Sequence, residues 1–150
     1  MTYTIEAYYR HEHDRNPVIL TSDEDVDQLI DALLGETFDH TMAALYIRER
    51  PKTKQGLPDH NFRIGLDSER KLGGIKFAGT ADGANGVWYA VGQGPQHDEV
   101  FYEYAGHPED FPLDSEVSLD LIRAAVKNFL ASGGERPGSI EWKPWPANVA

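Results

Sequence analysis

Residues 100 to 142, VFYEYAGHPEDFPLDSEVSLDLIRAAVKNFLASGGERPGSIEW, carry five successive structural signals. An aromatic strand over 100–105 precedes an acidic loop that contains two prolines. Ser118 then provides the N-cap of a helix. The apolar stripe of this helix repeats at helical spacing, at Leu119, Ile122, Val126 and Phe129. The pair Gly133-Gly134 ends the helix, and a strand at 139–142 follows.

The N-terminal part of the chain predicts two strands and a second helix. Tyr3, Ile5, Ala7 and Tyr9 alternate with polar residues, which is typical of a strand with one buried face. A short strand follows at 18–20. Ser22 is an N-cap with Asp25 three positions later, and the sequence predicts a helix over 23–34 that ends at Gly35.

The middle of the chain predicts strands joined by tight turns. Short segments rich in aromatic and branched residues occur at 43–50, 61–66, 73–79, 86–92 and 100–105. The dipeptides Asp82-Gly83 and Asn85-Gly86 predict a hairpin. The whole pattern predicts one α+β domain over residues 1–150, in which a mainly antiparallel β-sheet meander packs with two α-helices. The proline-rich tail, from about residue 143, is predicted to be loosely held.

Charge is distributed in blocks along the 150-residue chain. The formal net charge is −11, yet residues 48–76 carry eight basic and four acidic side chains. Residues 16–47 and 77–122 contain seven and nine acids respectively, without Lys or Arg. Such a chain repels the nucleic acid backbone, so direct nucleic-acid binding is not expected. It attracts a basic protein partner and accelerates the encounter.

The termini and the residue usage restrict the compartment and the chemistry. The first residues, MTYTIEAYYRHEHD, lack the basic start and apolar run of a signal peptide. No apolar run approaches the about 20 residues that a membrane helix needs, so a cytoplasmic protein without membrane contact is expected. The chain has no cysteine, which excludes disulfides, thiolate zinc sites and a cysteine nucleophile.

Two alternatives involve small molecules or catalysis. His11 and His13 would share a face of a strand, a spacing that can hold a metal ion or a small molecule. A small enzyme with its site under the helices is the other alternative. No phosphate-binding loop ending in Gly-Lys-Ser/Thr and no Gly-x-Ser-x-Gly elbow is present, however. We therefore assign no catalytic residue, no metal ligand and no cofactor from the sequence.

Four pieces of the sequence carry a family resemblance. They are FYEYAG at 101–106, FPLDSEVSL at 111–119, AAVKNFLASG at 124–133 and RPGSIEW at 136–142. In this order they resemble the C-terminal core of the first-numbered family (Imm one) of immunity proteins in bacterial polymorphic toxin systems. The resemblance implies a non-enzymatic inhibitor that binds and covers a cognate toxin, whose target is often nucleic acid and whose domain is often deaminase-like.

An acidic, aromatic segment is the predicted contact with that basic toxin. Its carboxylates would meet basic residues of the toxin, and tyrosines, which are frequent interface anchors, would add contact area. The predicted carboxylates are Asp98, Glu99, Glu103, Glu109, Asp110, Asp114 and Glu116, and the predicted anchors are Tyr102 and Tyr104.

Overall fold

An antiparallel sheet is the centre of the structure, a computed structural model that describes residues 2 to 146. The strands are β1 (Ile5–Tyr8), β2 (Val18–Leu20), β3 (Met42–Ile47), β4 (Asn61–Asp67), β5 (Leu72–Ala81), β6 (Ala84–Ala90), β7 (Phe101–Tyr104), β8 (His107–Asp110), β9 (Val117–Ser118) and β10 (Trp142–Pro144). The helices are α1 (Asp23–Leu34), α2 (Leu119–Ser132) and a 3-10 turn at His11–Asp14. The main sheet has the order β10–β6–β5–β4–β3–β1–β2, with β9 added to β5, while β7 and β8 form a separate hairpin. The predicted α+β class is confirmed.

Both α-helices begin at the serines that the sequence indicated. Ser22 Oγ accepts a hydrogen bond from Asp25 N at 3.1 Å, and Ser118 Oγ accepts one from Leu121 N at 3.1 Å. These bonds satisfy amide groups that have no partner within the helix. Gly133 ends α2 with φ of 72°, a left-handed conformation that glycine adopts without strain. Within residues 2 to 146, no helix combines the length and apolar character needed to cross a bilayer.

The helices cover one face of the sheet and fill the space beneath them with apolar side chains. Phe62 of β4 and Phe129 of α2 are fully buried, and their ring centroids lie 4.4 Å apart. Phe77 of β5 approaches Phe62 edge-on at 6.4 Å. This close packing is the main source of stability. The region where a small enzyme would have had its site is therefore occupied by the hydrophobic core.

The hairpin of β7 and β8 lies on the opposite face of the sheet. Tyr102 packs over Gly65, where an added Cβ would overlap the tyrosine ring. Phe111 packs over Gly74, where a Cβ would lie 2.9 Å from Phe111 Cδ2. Two glycines without side chains thus let the hairpin approach the sheet closely. The result is three layers: helices, sheet and hairpin.

The C-terminal segment differs from the prediction. The last strand is Trp142–Pro144 rather than 139–142, and it pairs with β6. Trp145 N donates to Val87 O at 2.8 Å, and the Trp145 ring packs edge-on against Phe111 at 5.1 Å. The prediction of a loose tail from about residue 143 is therefore wrong for residues 143–145, because a large aromatic side chain is anchored against the hairpin. Residues 147–150 of that tail lie outside the described part of the chain.

Prolines stand at the open edges of the sheet and the hairpin. Pro17 directly precedes β2, which forms one edge of the main sheet, and Pro144 ends β10 at the other edge. Pro108 lies within β8, opposite Glu103. Proline lacks a backbone N–H and is tolerated at such edge positions.

Candidate functional site

A groove of about 570 Å³ lies between β7, the turn after β4 and the connection from α1 to β3. We call it the acidic groove. It is lined by the carboxylates Glu36, Asp67, Glu69, Glu99 and Glu103 and by the aromatic rings Phe38 and Phe101. Arg70 contributes the one basic side chain among its lining residues.

Thr41 joins the walls of the acidic groove. Its backbone N donates to Glu103 O at 2.9 Å, and its Oγ1 accepts from Glu103 N at 2.8 Å. Its carbonyl accepts from Leu66 N at 2.8 Å. One residue therefore ties β7 to β4 through three hydrogen bonds, and both walls are fixed to the main sheet.

The carboxylates of the acidic groove differ in their partners. Glu36 accepts two hydrogen bonds from the Arg10 guanidinium, at 2.9 and 2.6 Å, and these hold the Glu36 pKa below its ordinary value. Asp67 lies 3.5 Å from Arg70 Nε. Among the residues described, the side chains of Glu69, Glu99 and Glu103 form no ion pair. Glu69 and Glu99 are exposed, so their charges are available to a ligand.

Two aromatic rings stand beside these carboxylates. The side chain of Phe38 is 83% exposed and that of Phe101 is 45% exposed. A small turn holds Phe38 in place, since His40 N donates to Thr37 O at 2.9 Å. Large exposed aromatic side chains are costly in water and are enriched at protein interfaces.

The sequence of the chain matches a known protein family. The family model described as immunity protein Imm1 matches residues 14 to 144, a span that contains the whole acidic groove. The chain belongs to the Imm1 family. The resemblance recognised in the sequence is therefore confirmed, and membership implies an immunity protein that acts against a bacterial toxin. A search of curated proteins found no match.

The Imm1 fold brings some of the predicted contact residues together. Glu99 and Glu103 line the acidic groove. Asp98 is exposed next to Glu99, and Asp110 is exposed on β8, directly opposite Phe101 in the strand register. These four carboxylates remain candidates for contact with a partner.

Two other predicted carboxylates, Glu109 and Asp114, are bound to groups of their own chain. Glu109 lies between Arg63 Nη1, at 3.2 Å, and Lys76 Nζ, at 3.0 Å, and so fastens the hairpin to the sheet. Asp114 accepts from Tyr89 Oη at 2.8 Å and from Lys143 Nζ at 2.9 Å. Their charges are largely compensated within the protein, so the prediction that they face a partner does not fit these positions.

Glu116 and Tyr102 are buried, which corrects their predicted role. Glu116 is 4% exposed, contacts His97 Nδ1 at 2.6 Å, and lies 3.5 Å from Arg70. Tyr102 is 3% exposed, and burial raises its pKa. Side chains alternate along a strand, so Tyr102 faces the sheet while Phe101 faces outward. Gly65 and Gly74 leave the room that the Tyr102 ring occupies. The exposed aromatic residue of β7 is thus Phe101, the opposite of the prediction.

Tyr104 lies apart from the acidic groove. Its ring is partly buried, and the Arg63 guanidinium carbon lies 4.9 Å from the ring centroid. Tyr104 instead lines a second pocket together with Tyr8 and Tyr46.

Several lining residues of the acidic groove were not predicted from the sequence. Glu36, Phe38, Asp67 and Glu69 come from two distant segments, the connection after α1 and the turn after β4. Phe38 was the one detectable signal, because it is an aromatic residue isolated in the polar segment GETFDHT. Such a residue has no periodic partner with which to form a buried face.

The predicted placement of His11 and His13 on one face of a strand, on which the metal-site alternative depended, is also wrong. His11 and His13 lie on a 3-10 turn rather than on a strand, and they do not share a face in the predicted way. His13 Nδ1 accepts hydrogen bonds from the backbone N–H groups of Tyr9 and Arg10, both at 3.1 Å. This nitrogen therefore caps the turn. No cluster of three or more metal-ligating side chains was found within residues 2 to 146.

Proposed function

We propose that this protein neutralises a cognate bacterial toxin by binding it directly through the acidic groove, without catalysis of its own. Three carboxylates that form no ion pair within the described part of the chain carry the proposal, since Glu69, Glu99 and Glu103 lie beside the exposed rings of Phe38 and Phe101. A basic surface with an apolar centre would match both features. The aromatic rings would anchor the partner, and the carboxylates would orient it.

The charge of the molecule supports a basic toxin. A net charge of −11 on 150 residues accelerates association with a positively charged protein. A toxin that grips nucleic acid needs Lys and Arg along its substrate groove. We therefore propose a nucleic-acid-directed toxin, with a deaminase-like domain as the first candidate, whose substrate groove the inhibitor occupies.

The construction of the acidic groove supports occlusion by a preformed surface. Thr41 connects its two walls, and Asp67 and Arg70 belong to the tight turn between β4 and β5. A surface that is ordered before binding loses little conformational entropy in the complex. The proposed place of action is the cytoplasm, where the inhibitor would meet the toxin that threatens its own cell.

Co-purification with the product of the adjacent gene tests the proposal. We expect a neighbouring reading frame with a toxin-like C-terminal domain, whose product forms a stable complex with this protein and loses toxicity on co-expression. Replacing both aromatic residues, Phe38→Ala and Phe101→Ala, should weaken binding by about 1,000-fold, since each hot-spot side chain contributes about 2 kcal/mol and about 1.4 kcal/mol corresponds to a factor of ten.

A matched pair of charge variants separates the acidic groove from overall charge. Glu99→Gln should weaken binding, whereas Glu135→Gln should leave it unchanged, because Glu135 is an exposed carboxylate beyond the end of α2. Circular dichroism checks that all variants are folded. Equal affinities for the wild type, the double aromatic variant and Glu99→Gln would refute the acidic groove as the contact surface.

A further inference from the structure

A pocket of about 260 Å³ lies on the hairpin side of the sheet, apart from the acidic groove. Three tyrosine rings line it: Tyr8 from β1, Tyr46 from β3 and Tyr104 from β7. The rings of Tyr8 and Tyr46 meet edge-to-face, with centroids 5.8 Å apart and planes at 68°. None of the three rings belongs to the hydrophobic core beneath the helices.

The tyrosine hydroxyls remain neutral and open to a ligand. Burial is the main cause that raises the pKa of Tyr8, Tyr46 and Tyr104, so each hydroxyl keeps its proton at physiological pH. Within residues 2 to 146, no side-chain hydrogen bond occupies any of the three hydroxyls. The pocket therefore offers electron-rich ring surfaces together with oxygen atoms that can accept hydrogen bonds.

Two carboxylates, one ammonium group and the ring of Pro58 complete the pocket lining. Glu6 and Asp14 bring negative charge, and Lys52 brings positive charge. Glu6 already forms an ion pair with Arg48, whose Nη2 lies 3.1 Å from Glu6 Oε2. Asp14 is exposed and has no ion-pair partner among the described residues. Within residues 2 to 146, the pocket thus holds one carboxylate, Asp14, that forms no ion pair.

We infer that the tyrosine pocket, formed by Tyr8, Tyr46 and Tyr104 with Asp14 at its side, binds the guanidinium group of an arginine side chain. That this arginine belongs to the toxin rests on the proposed function. The pocket itself is a separate binding site, which neither family membership nor the acidic groove requires. It would add a specific, directional contact to the broad attraction of the acidic groove.

The geometry favours a guanidinium group over an ammonium group. A cation is attracted to an aromatic face within about 6 Å of the ring centroid, and a planar guanidinium can also stack on the ring. Its five N–H donors suit a site that contains several oxygen acceptors. The protein already contains such a contact at one of the three rings, since the Arg63 guanidinium carbon lies 4.9 Å from the centroid of Tyr104. That internal contact leaves Tyr8 and Tyr46 as the principal rings for a ligand.

Titration with N-acetyl-arginine methylamide, followed by the NMR signals of labelled tyrosine rings, tests the inference without any toxin. The probe should shift the signals of Tyr8 and Tyr46 in a saturable manner at millimolar concentration. The corresponding citrulline derivative has the same shape without the charge, and it should cause no saturable shift. Replacing one ring, Tyr46→Leu, should abolish binding, with circular dichroism to show that the variant is folded.

Removing an acidic or a basic charge from the tyrosine pocket should change probe binding in opposite directions. Asp14→Asn should weaken probe binding by about two- to fivefold, and Lys52→Met should strengthen it by a similar factor, because each removes one charge of the pocket. Glu135→Gln, which alters an exposed carboxylate outside both the pocket and the acidic groove, serves as the matched control and should have no effect. Equal binding of the arginine and citrulline probes, or equal effects of Asp14→Asn and Glu135→Gln, would overturn the inference.

The two proposals fail separately. If the arginine probe does not bind while the toxin still does, the tyrosine pocket is not a guanidinium site and the acidic groove stands. If the probe binds and no toxin partner is found, the guanidinium site stands and the proposed function does not.

Discussion

Single residues decide how closely the hairpin approaches the sheet. Gly65 and Gly74 lie on adjacent strands, in register with each other, and they form a flat area under Tyr102 and Phe111. The buried position of Tyr102 follows from these two glycines rather than from any property of the tyrosine. The sequence showed an aromatic strand but gave no reason to pair it with glycines about 35 residues earlier, because that contact depends on tertiary packing.

The first prediction concerns Gly65→Ala. The new Cβ would overlap the Tyr102 ring, so the variant should be less stable by about 1 to 3 kcal/mol, as measured by chemical denaturation. Gly138→Ala is the matched control, since nothing lies within 4 Å of its added Cβ, and it should change stability little. Equal stability of both variants would show that the hairpin does not pack on Gly65.

A second prediction uses the pair of Arg10 and Glu36. The Arg10 hydrogen bonds lower the pKa of Glu36 from its ordinary value of 4.5. The unfolded chain therefore binds the proton more readily, and the stability from this pair, present above pH 4.5, is lost as the pH falls through the folded-state pKa. Glu36→Gln should reduce the loss of stability with falling pH in that acidic range. An unaltered acid slope in Glu36→Gln would contradict the prediction.

At the level of elements, local signals predicted the helices well and the hairpin poorly. The serine caps and glycine stops of α1 and α2 act within a few residues, so the helix limits were readable. The turn between β7 and β8 is formed by Ala105 and Gly106, with φ of 47° and 85°. Alanine is unusual in a left-handed conformation, and Pro108 in β8 argues against a strand. The sequence therefore indicated a loop where the structure has a hairpin.

The third prediction is that the two adjacent acids of β8, Glu109 and Asp110, differ in their contribution to stability. Glu109 pairs with Arg63 and Lys76 across to the sheet, whereas Asp110 is exposed. Glu109→Gln should lower the free energy of unfolding by about 1.5 to 3 kcal/mol, because charged hydrogen bonds are lost. Asp110→Asn should leave stability nearly unchanged. Thermal or urea denaturation provides the measurement, and equal stabilities would mean that Glu109 does not fasten the hairpin.

This difference also changes how the contact surface should be tested. Reversing the charge of Glu109 would place three cations together and disturb the hairpin itself. Asp110→Lys, by contrast, alters the surface beside Phe101 without breaking an ion pair within the described residues. A weaker complex after Asp110→Lys would therefore report on the interface rather than on folding.

At the scale of the whole molecule, the sequence correctly indicated the segment but not the complete site. Glu99 and Glu103 were predicted because they lie in a long stretch without Lys or Arg. The opposite wall, with Glu36 and Phe38, belongs to a connection more than 60 residues earlier in the chain. The hydrogen bonds of Thr41, and the bond that Gly106 N donates to Asp39 O at 2.8 Å, show that the two segments meet. Charge along the sequence can reveal half of a surface, while its other half depends on the fold.

The fourth prediction follows from the total charge. The rate of association with the toxin should fall as salt increases, because electrostatic attraction is screened beyond about 10 Å at 0.1 M ionic strength. Combining Glu69→Gln with Glu99→Gln should reduce that salt dependence, as followed by stopped-flow fluorescence. An association rate that does not vary with salt would contradict steering by the acidic groove.

The prolines at the strand edges have a consequence for the association of the protein with copies of itself. An exposed edge strand can recruit further copies and start a fibre, especially in a protein kept at high concentration. Pro108 in β8 and Pro144 in β10 each remove a backbone donor from the pattern that a growing fibre would copy, and Pro17 stands directly before β2. Copies of this chain should therefore stay separate at high concentration rather than polymerise through their strand edges.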